Sequence, residues 1–149
     1  MSKRWGTPTW YFFHTLAEKI HTEHFRKNKK EFIDLIISIC NNLPCPICKD
    51  HSMKYIRKSN IYKIQTKEEM KNYLYVFHNW VNKKLGKSEP SLSILNLYKK
   101  MDFMKVYKFF IQEFFKSNAL SKNFFKWNKD FLYNKINVFL DKHKPHITP

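Results

Sequence analysis

Residues 41–51, NNLPCPICKDH, set two of the chain's three cysteines two residues apart behind a proline. Such a pair could bind a metal, staple the fold or exchange disulfides with other thiols. A tetrahedral zinc site needs four ligands, and only His51 stands close by to join the two sulfurs. Stapling a small secreted domain normally takes more cysteines than this chain has. Redox exchange is therefore the leading reading, with a CxxC metal site kept as the alternative. At a helix start, free N–H groups and the helix dipole favour thiolate, most strongly at the first cysteine. Cys45 would then be the exposed, attacking sulfur, and Cys48, one turn in, would face the interior.

A second constellation lies in FHNWVNKKLGK, residues 77–87. His78 and Asn82 are four apart on one helix face, with Asn79 beside them and Lys84 and Lys87 near the helix end. Together they offer a flat ring, amide hydrogen bonds and cations to a planar, phosphate-bearing ligand. In WYFFHTLA, Trp10 and His14 repeat the four-residue spacing. Taken singly these are weak signals: a lone helical histidine is more often a satisfied core or surface residue than a ligand, and Trp10 alone would be core.

The elements that must position these groups read as helices. With two glycines and six prolines in 149 residues, the chain lacks the turn residues of an all-β design. Pro8 suits a first helical turn, and Trp10, Phe13, Ala17 and Ile20 recur at helical spacing, predicting a helix over 8–24. The basic stretch RKNKK should separate it from a second helix over 30–42, whose buried face carries Phe32, Leu35, Ile36 and Ile39. Cys40 falls on that buried side and reads as a core thiol. Pro44 ends the second helix, and a third should carry the cysteines in its first turn. Thr66 and Glu69 form a capping box for a fourth, which Gly86 would stop. The segment EFIDLIISICNN has enough β-branched residues for a strand, but the other strands of a thioredoxin-like sheet are missing, so the electrons need another acceptor.

The fold class expected is all-α: a four-helix bundle plus a short fifth helix over 92–101, then a helical C-terminal extension. On this reading 1–100 is the site-bearing domain and 101–149 a basic, aromatic-rich extension that packs on the bundle or forms an oligomer contact. The last residues, HKPHITP, are expected to fray. Lys and Arg number 28 against 12 Asp and Glu, a net charge of +16 that would attract anions in general. The lysines are scattered rather than striped, so a basic nucleic-acid- or membrane-binding module remains the rival class and no specific nucleic acid is expected. Neither a signal peptide nor a transmembrane segment is visible.

Three motifs occur in order: WGTPTWYFFHTLA, then CPICKDH, then HNWVNKKL, across about residues 5–87. Together they resemble the Erv/ALR family of FAD-linked sulfhydryl oxidases, and the WG…W opening with LPCP is most similar to members encoded by large DNA viruses. The resemblance implies a helical bundle cradling FAD, which oxidises protein dithiols to disulfides and passes the electrons to molecular oxygen, giving hydrogen peroxide. Cys48 would be the flavin-proximal sulfur and Cys45 the one that meets substrate dithiols or a small thiol carrier. Gly6, Trp10, His14, His78, Asn79, Asn82, Lys84 and Lys87 would bind the cofactor, with Tyr98 as an aromatic neighbour on the fifth helix. A homodimer is implied, as is, for a viral member, a place in the host cytoplasm or the virion. Many cellular members carry further disulfides for which this chain has no cysteines, so substrates would reach Cys45 directly.

Overall fold

A computed structural model describes residues 4–119 and 126–149. The elements are α1 (Gly6–Lys19), α2 (Thr22–Cys40), α3 (Pro46–Ser59), α4 (Lys67–Lys84), α5 (Leu95–Lys99), α6 (Phe103–Ala119) and α7 (Lys126–His143), and no strand occurs among the described residues. Helix α1 packs against α4, α5 and α6, while α2 packs against α3, α4 and α7. One continuous apolar cluster runs through the whole arrangement, from Phe12 and Phe13 of α1 to Phe110 and Phe114 of α6 and Leu132 and Ile136 of α7. Of the two roles expected for the C-terminal helices, packing on the bundle is the one observed. Among the described residues, no helix is long and apolar enough to cross a membrane.

The local signals in the middle of the chain are realised. The Thr66 hydroxyl accepts the Glu69 N–H at 3.1 Å and opens α4. At the other end, Gly86 adopts φ 69°, the Lys87 N–H reaches the Asn82 carbonyl at 2.8 Å and the Gly86 N–H reaches Lys83 at 3.2 Å. That is the double hydrogen bond of a left-handed helix stop. A Cβ on Gly86 would meet nothing within 4 Å, so backbone conformation, not space, is what the glycine supplies.

Three expectations are corrected. The boundary between the first two helices lies at Ile20 and His21, not in RKNKK, which is inside α2 and merely kinked at Asn28 (φ −124°, ψ 19°). The tail is not frayed. Ile20 and Ile147 form an antiparallel bridge, His21 N–H donates to the His146 carbonyl at 2.8 Å, and Thr148 N–H donates to Lys19 at 2.8 Å. The Phe103 N–H at the start of α6 reaches the Pro149 carbonyl at 3.0 Å. His146 and Thr148 thus satisfy the His21 N–H and the Lys19 carbonyl, groups that continuing α1 would have satisfied internally, so a tertiary contact, not a local breaker, ends the helix. The fifth helix is also shorter than expected, a 3₁₀ turn over Leu92–Ile94 leading into α5.

Candidate functional site

Cys45 is the N-cap of α3 and Pro46 its first helical residue. Proline fits there because that N–H has no helical partner to lose. Cys45 and Cys48 are joined as a disulfide, and the Cys45 sulfur accepts the Cys48 N–H at 3.3 Å. In the reduced state the same N–H and the helix terminus favour negative charge on Cys45. Next to the pair, Ile47 is 67% exposed, an apolar side chain presented to solvent beside the reactive bond.

A cleft of about 990 Å³, counted to its open mouth, lies between α1, α3 and α4. Cys48 lines it and Cys45 does not, so the two sulfurs are inequivalent. Gly6 and Trp10 of α1 and His78, Asn82 and Lys84 of α4 form other walls, with Lys87 just beyond the α4 stop. The left-handed turn at Gly86 is what folds Lys87 back beside Asn82.

The remaining two sequence candidates, His14 and Asn79, line an adjoining cavity instead, which also holds Tyr98; His78 and Tyr11 border both spaces. Trp10 stacks on His78 with ring centroids 4.1 Å apart and planes 8° apart, and His14 stacks on Tyr98 at 4.5 Å and 12°. His14 Nε2 and His78 Nδ1 meet at 3.0 Å, joining the two stacks. Burial, then the neighbouring His78, pushes His14 down to about 3; burial, then the Lys87 charge, pushes His78 down to about 4. Both rings are therefore neutral near pH 7, flat surfaces rather than cations. Asn79 has a second task, since its amide donates to the Pro90 carbonyl at 3.4 Å, where Tyr75 also donates at 2.7 Å.

Cys40 lines the cleft as well, but it is buried and its thiol is pushed up to about 12 by burial. Sequence reasoning missed Trp5, Ser52 and Trp80 as lining residues and took His51 only as a possible zinc ligand. Trp80 was legible in principle, since it sits inside HNWVNKKL four residues before Lys84, whose ammonium lies 4.9 Å from its ring centre. Among the described residues, no three His, Cys, Asp or Glu side chains come together as a metal-ligand set.

The Erv1/Alr family model matches residues 7–102, more than half of the chain. The chain belongs to the Erv1/Alr family. This Erv1/Alr chain is 33% identical over 89 residues to the FAD-linked sulfhydryl oxidase of an African swine fever virus isolate, covering 60% of this chain and 74% of the relative. It is 38% identical over 82 residues to FAD-linked sulfhydryl oxidase ERV1 of Arabidopsis thaliana, covering 55% of this chain and 42% of that protein. With the mitochondrial FAD-linked sulfhydryl oxidase ERV1 of Saccharomyces cerevisiae the identity is 29% over 82 residues, 55% of this chain and 43% of the relative. The chain thus spans less than half the length of the plant and yeast relatives. No solved structure matches it. The family match stops at residue 102, one residue short of α6.

Proposed function

We propose that this chain, an FAD-linked sulfhydryl oxidase of the Erv1/Alr family, oxidises protein dithiols at its Cys45–Cys48 disulfide while the cleft between α1, α3 and α4 holds FAD. The observation that carries the reading is the asymmetry of the pair: Cys48 lines the cleft, and Cys45 sits at the helix cap outside it. A substrate thiolate attacks the Cys45 sulfur, the Cys45–Cys48 bond breaks, and Cys48 leaves as a thiolate. A second substrate thiol then attacks the mixed disulfide. The substrate departs as a disulfide, two electrons reside on the Cys45–Cys48 pair, and two protons go to thiols or solvent.

The residues present fit the cofactor. The cleft is concave and mostly apolar with a few polar groups on its walls, the composition of a small-molecule site. Neutral, parallel Trp10 and His78 rings suit a planar heterocycle, and the exposed Lys84 and Lys87 suit a diphosphate. His14 Nδ1, buried without a hydrogen-bond partner among the described residues, leaves one position for a polar group of a ligand that reaches past His78 into the adjoining cavity. When bound, FAD supplies the two-electron acceptor that returns the pair to the disulfide and the donor that reduces molecular oxygen to hydrogen peroxide. Trp10, His14, His78, Asn79, Asn82, Lys84 and Lys87, with Gly6 at the opening turn, are its proposed binding residues.

Homodimer formation belongs to the same proposal, as does, for a viral member, work in the host cytoplasm or the virion. The test is the visible absorbance of the isolated protein, followed by oxygen uptake on adding a dithiol. Flavin absorbance and dithiol-dependent uptake are expected. Cys48→Ser should retain the flavin and lose the uptake; colourless protein carrying stoichiometric zinc, or undiminished uptake in Cys48→Ser, would refute the reading.

A further inference from the structure

Four histidines gather at the far end of α2, away from the cleft. They form two pairs with the same spacing, His21 with His24 and His143 with His146, and the pinned tail brings the pairs together. His24 stacks flat on His146, centroids 3.8 Å apart and planes 8° apart, and His21 meets His146 edge-on at 6.2 Å. His24 Nε2 lies 2.7 Å from His143 Nδ1, and His143 Nε2 lies 2.5 Å from a Glu31 carboxylate oxygen. On the other side of His24, the Asn28 amide nitrogen lies 3.4 Å from Nδ1 and donates at 2.9 Å to the His24 carbonyl. The His143 side chain is 1% exposed, walled by Phe32 and Phe139. Lys142, 2.6 Å from the other Glu31 oxygen, is the remaining charged group at the cluster.

Hydrogen-bond direction in this chain of groups is determined from both ends. A carboxylate only accepts, so His143 Nε2 carries a hydrogen and donates to Glu31. The Asn28 nitrogen only donates, so His24 Nδ1 is bare and accepts. Two imidazoles remain between these ends. With both neutral, His24 Nε2–H donates to a bare His143 Nδ1, and every position is satisfied. A proton added to His24 sets an N–H against the Asn28 NH₂ group. A proton added to His143 sets an N–H against the His24 N–H. Either way two donors face each other beside the buried His143 ring.

We propose that the Asn28–His24–His143–Glu31 chain is a proton-operated latch, which fastens the C-terminal tail to the α1–α2 junction while both imidazoles are neutral and releases it when either is protonated. His146 is the part of the tail the latch grips, through its stack on His24. Release frees the His21 N–H from the His146 carbonyl, the Thr148 N–H from Lys19 and the Phe103 N–H from Pro149. The tail thereby couples the latch to the start of α6. Burial, then His146 and His143, holds His24 below the ordinary imidazole range, and burial holds His143 below it against the opposing pull of Glu31. Both are therefore neutral near pH 7, and protonation begins only on acidification. A metal centre is the less favoured use of these histidines, because the His24 and His143 nitrogens are spent on one another, on Asn28 and on Glu31, and no ligand set converges among the described residues.

Hydrogen exchange on the full-length protein tests the latch at the amides of His21 and Thr148, with α6 core amides as the reference. After correction for the intrinsic exchange rate, their protection should fall at least about tenfold between about pH 7.5 and about pH 5.5, with α6 unchanged. Asn28→Asp offers an acceptor to a protonated His24 and should keep the tail protected at the lower pH. His24→Phe cannot take up a proton and also removes the N–H that a protonated His143 would face, so it should abolish the pH step. Equal protection at both pH values in the wild type, or release of the tail by Asn28→Asp at the wild-type pH, would overturn the proposal. So would stoichiometric Zn²⁺ binding near neutral pH that raises tail protection and is reversed by EDTA.

Discussion

Phe110→Ala tests whether the helices beyond the family match belong to the same folding unit as the site. Phe110 lies on α6, fully buried, stacked on Phe12 of α1 with centroids 4.6 Å and planes 4° apart, and 5.2 Å from the Phe114 ring. Truncating a buried Phe to Ala costs about 3–5 kcal/mol, part of it the stacking lost with the ring. For a chain of this length each kcal/mol moves the midpoint by about 2–4 °C, so the melting temperature should drop by about 6–20 °C. The assay is thermal unfolding followed by far-ultraviolet circular dichroism, on wild type and variant of equal flavin content. Phe131→Ala is the control, since Phe131 is 70% exposed and its truncation should move the midpoint by no more than about 2 °C. A single transition is expected in each case. A drop of less than about 3 °C for Phe110→Ala, or a separate early transition that leaves the flavin bound, would show that α6 is an appendage and that the shared core does not act cooperatively.

The neutral imidazoles of the site predict a pH dependence with a definite sign. The folded-state values of His14 and His78, about 3 and about 4, lie below the ordinary 6.5, so their contribution is fully present above pH 6.5 and is lost as pH falls toward 4. His78→Gln should flatten the slope of melting temperature against pH in that window, and an unchanged slope would refute the assignment. Cys40, its thiol pushed up to about 12 by burial, should resist a disulfide-exchange reagent in the native protein and react once the protein is unfolded. Rapid native modification, measured by mass spectrometry against the time course of unfolding, would contradict its place in the core.

What could be read from the chain alone was local chemistry and period. The CPIC pair, the Thr66–Glu69 box and the Gly86 stop each involve groups within about one and a half helical turns, where the hydrogen-bond partner is written beside its donor. The apolar spacing of Phe32, Leu35, Ile36 and Ile39 likewise marked the face that is buried. Tertiary structure alone decided which of these pieces meet. His14 and His78 are 64 positions apart, yet their nitrogens pair and join the two ring stacks. Residues 26–30 read as a break because they are basic, but their exposed charges leave α2 intact as one kinked helix. The chain breaks instead at Ile20, an apolar residue with no local stop signal, because the backbone there is held by Ile147 and its neighbours from the other end of the protein. The same holds for the sulfurs. Spacing made Cys45 and Cys48 a pair, but only the tertiary placement of α1 and α4 around the start of α3 gives Cys48 a cleft to line and leaves Cys45 outside it. Short-range hydrogen bonding and side-chain period are properties of a segment, whereas which face closes over which is settled by burial summed across the whole chain.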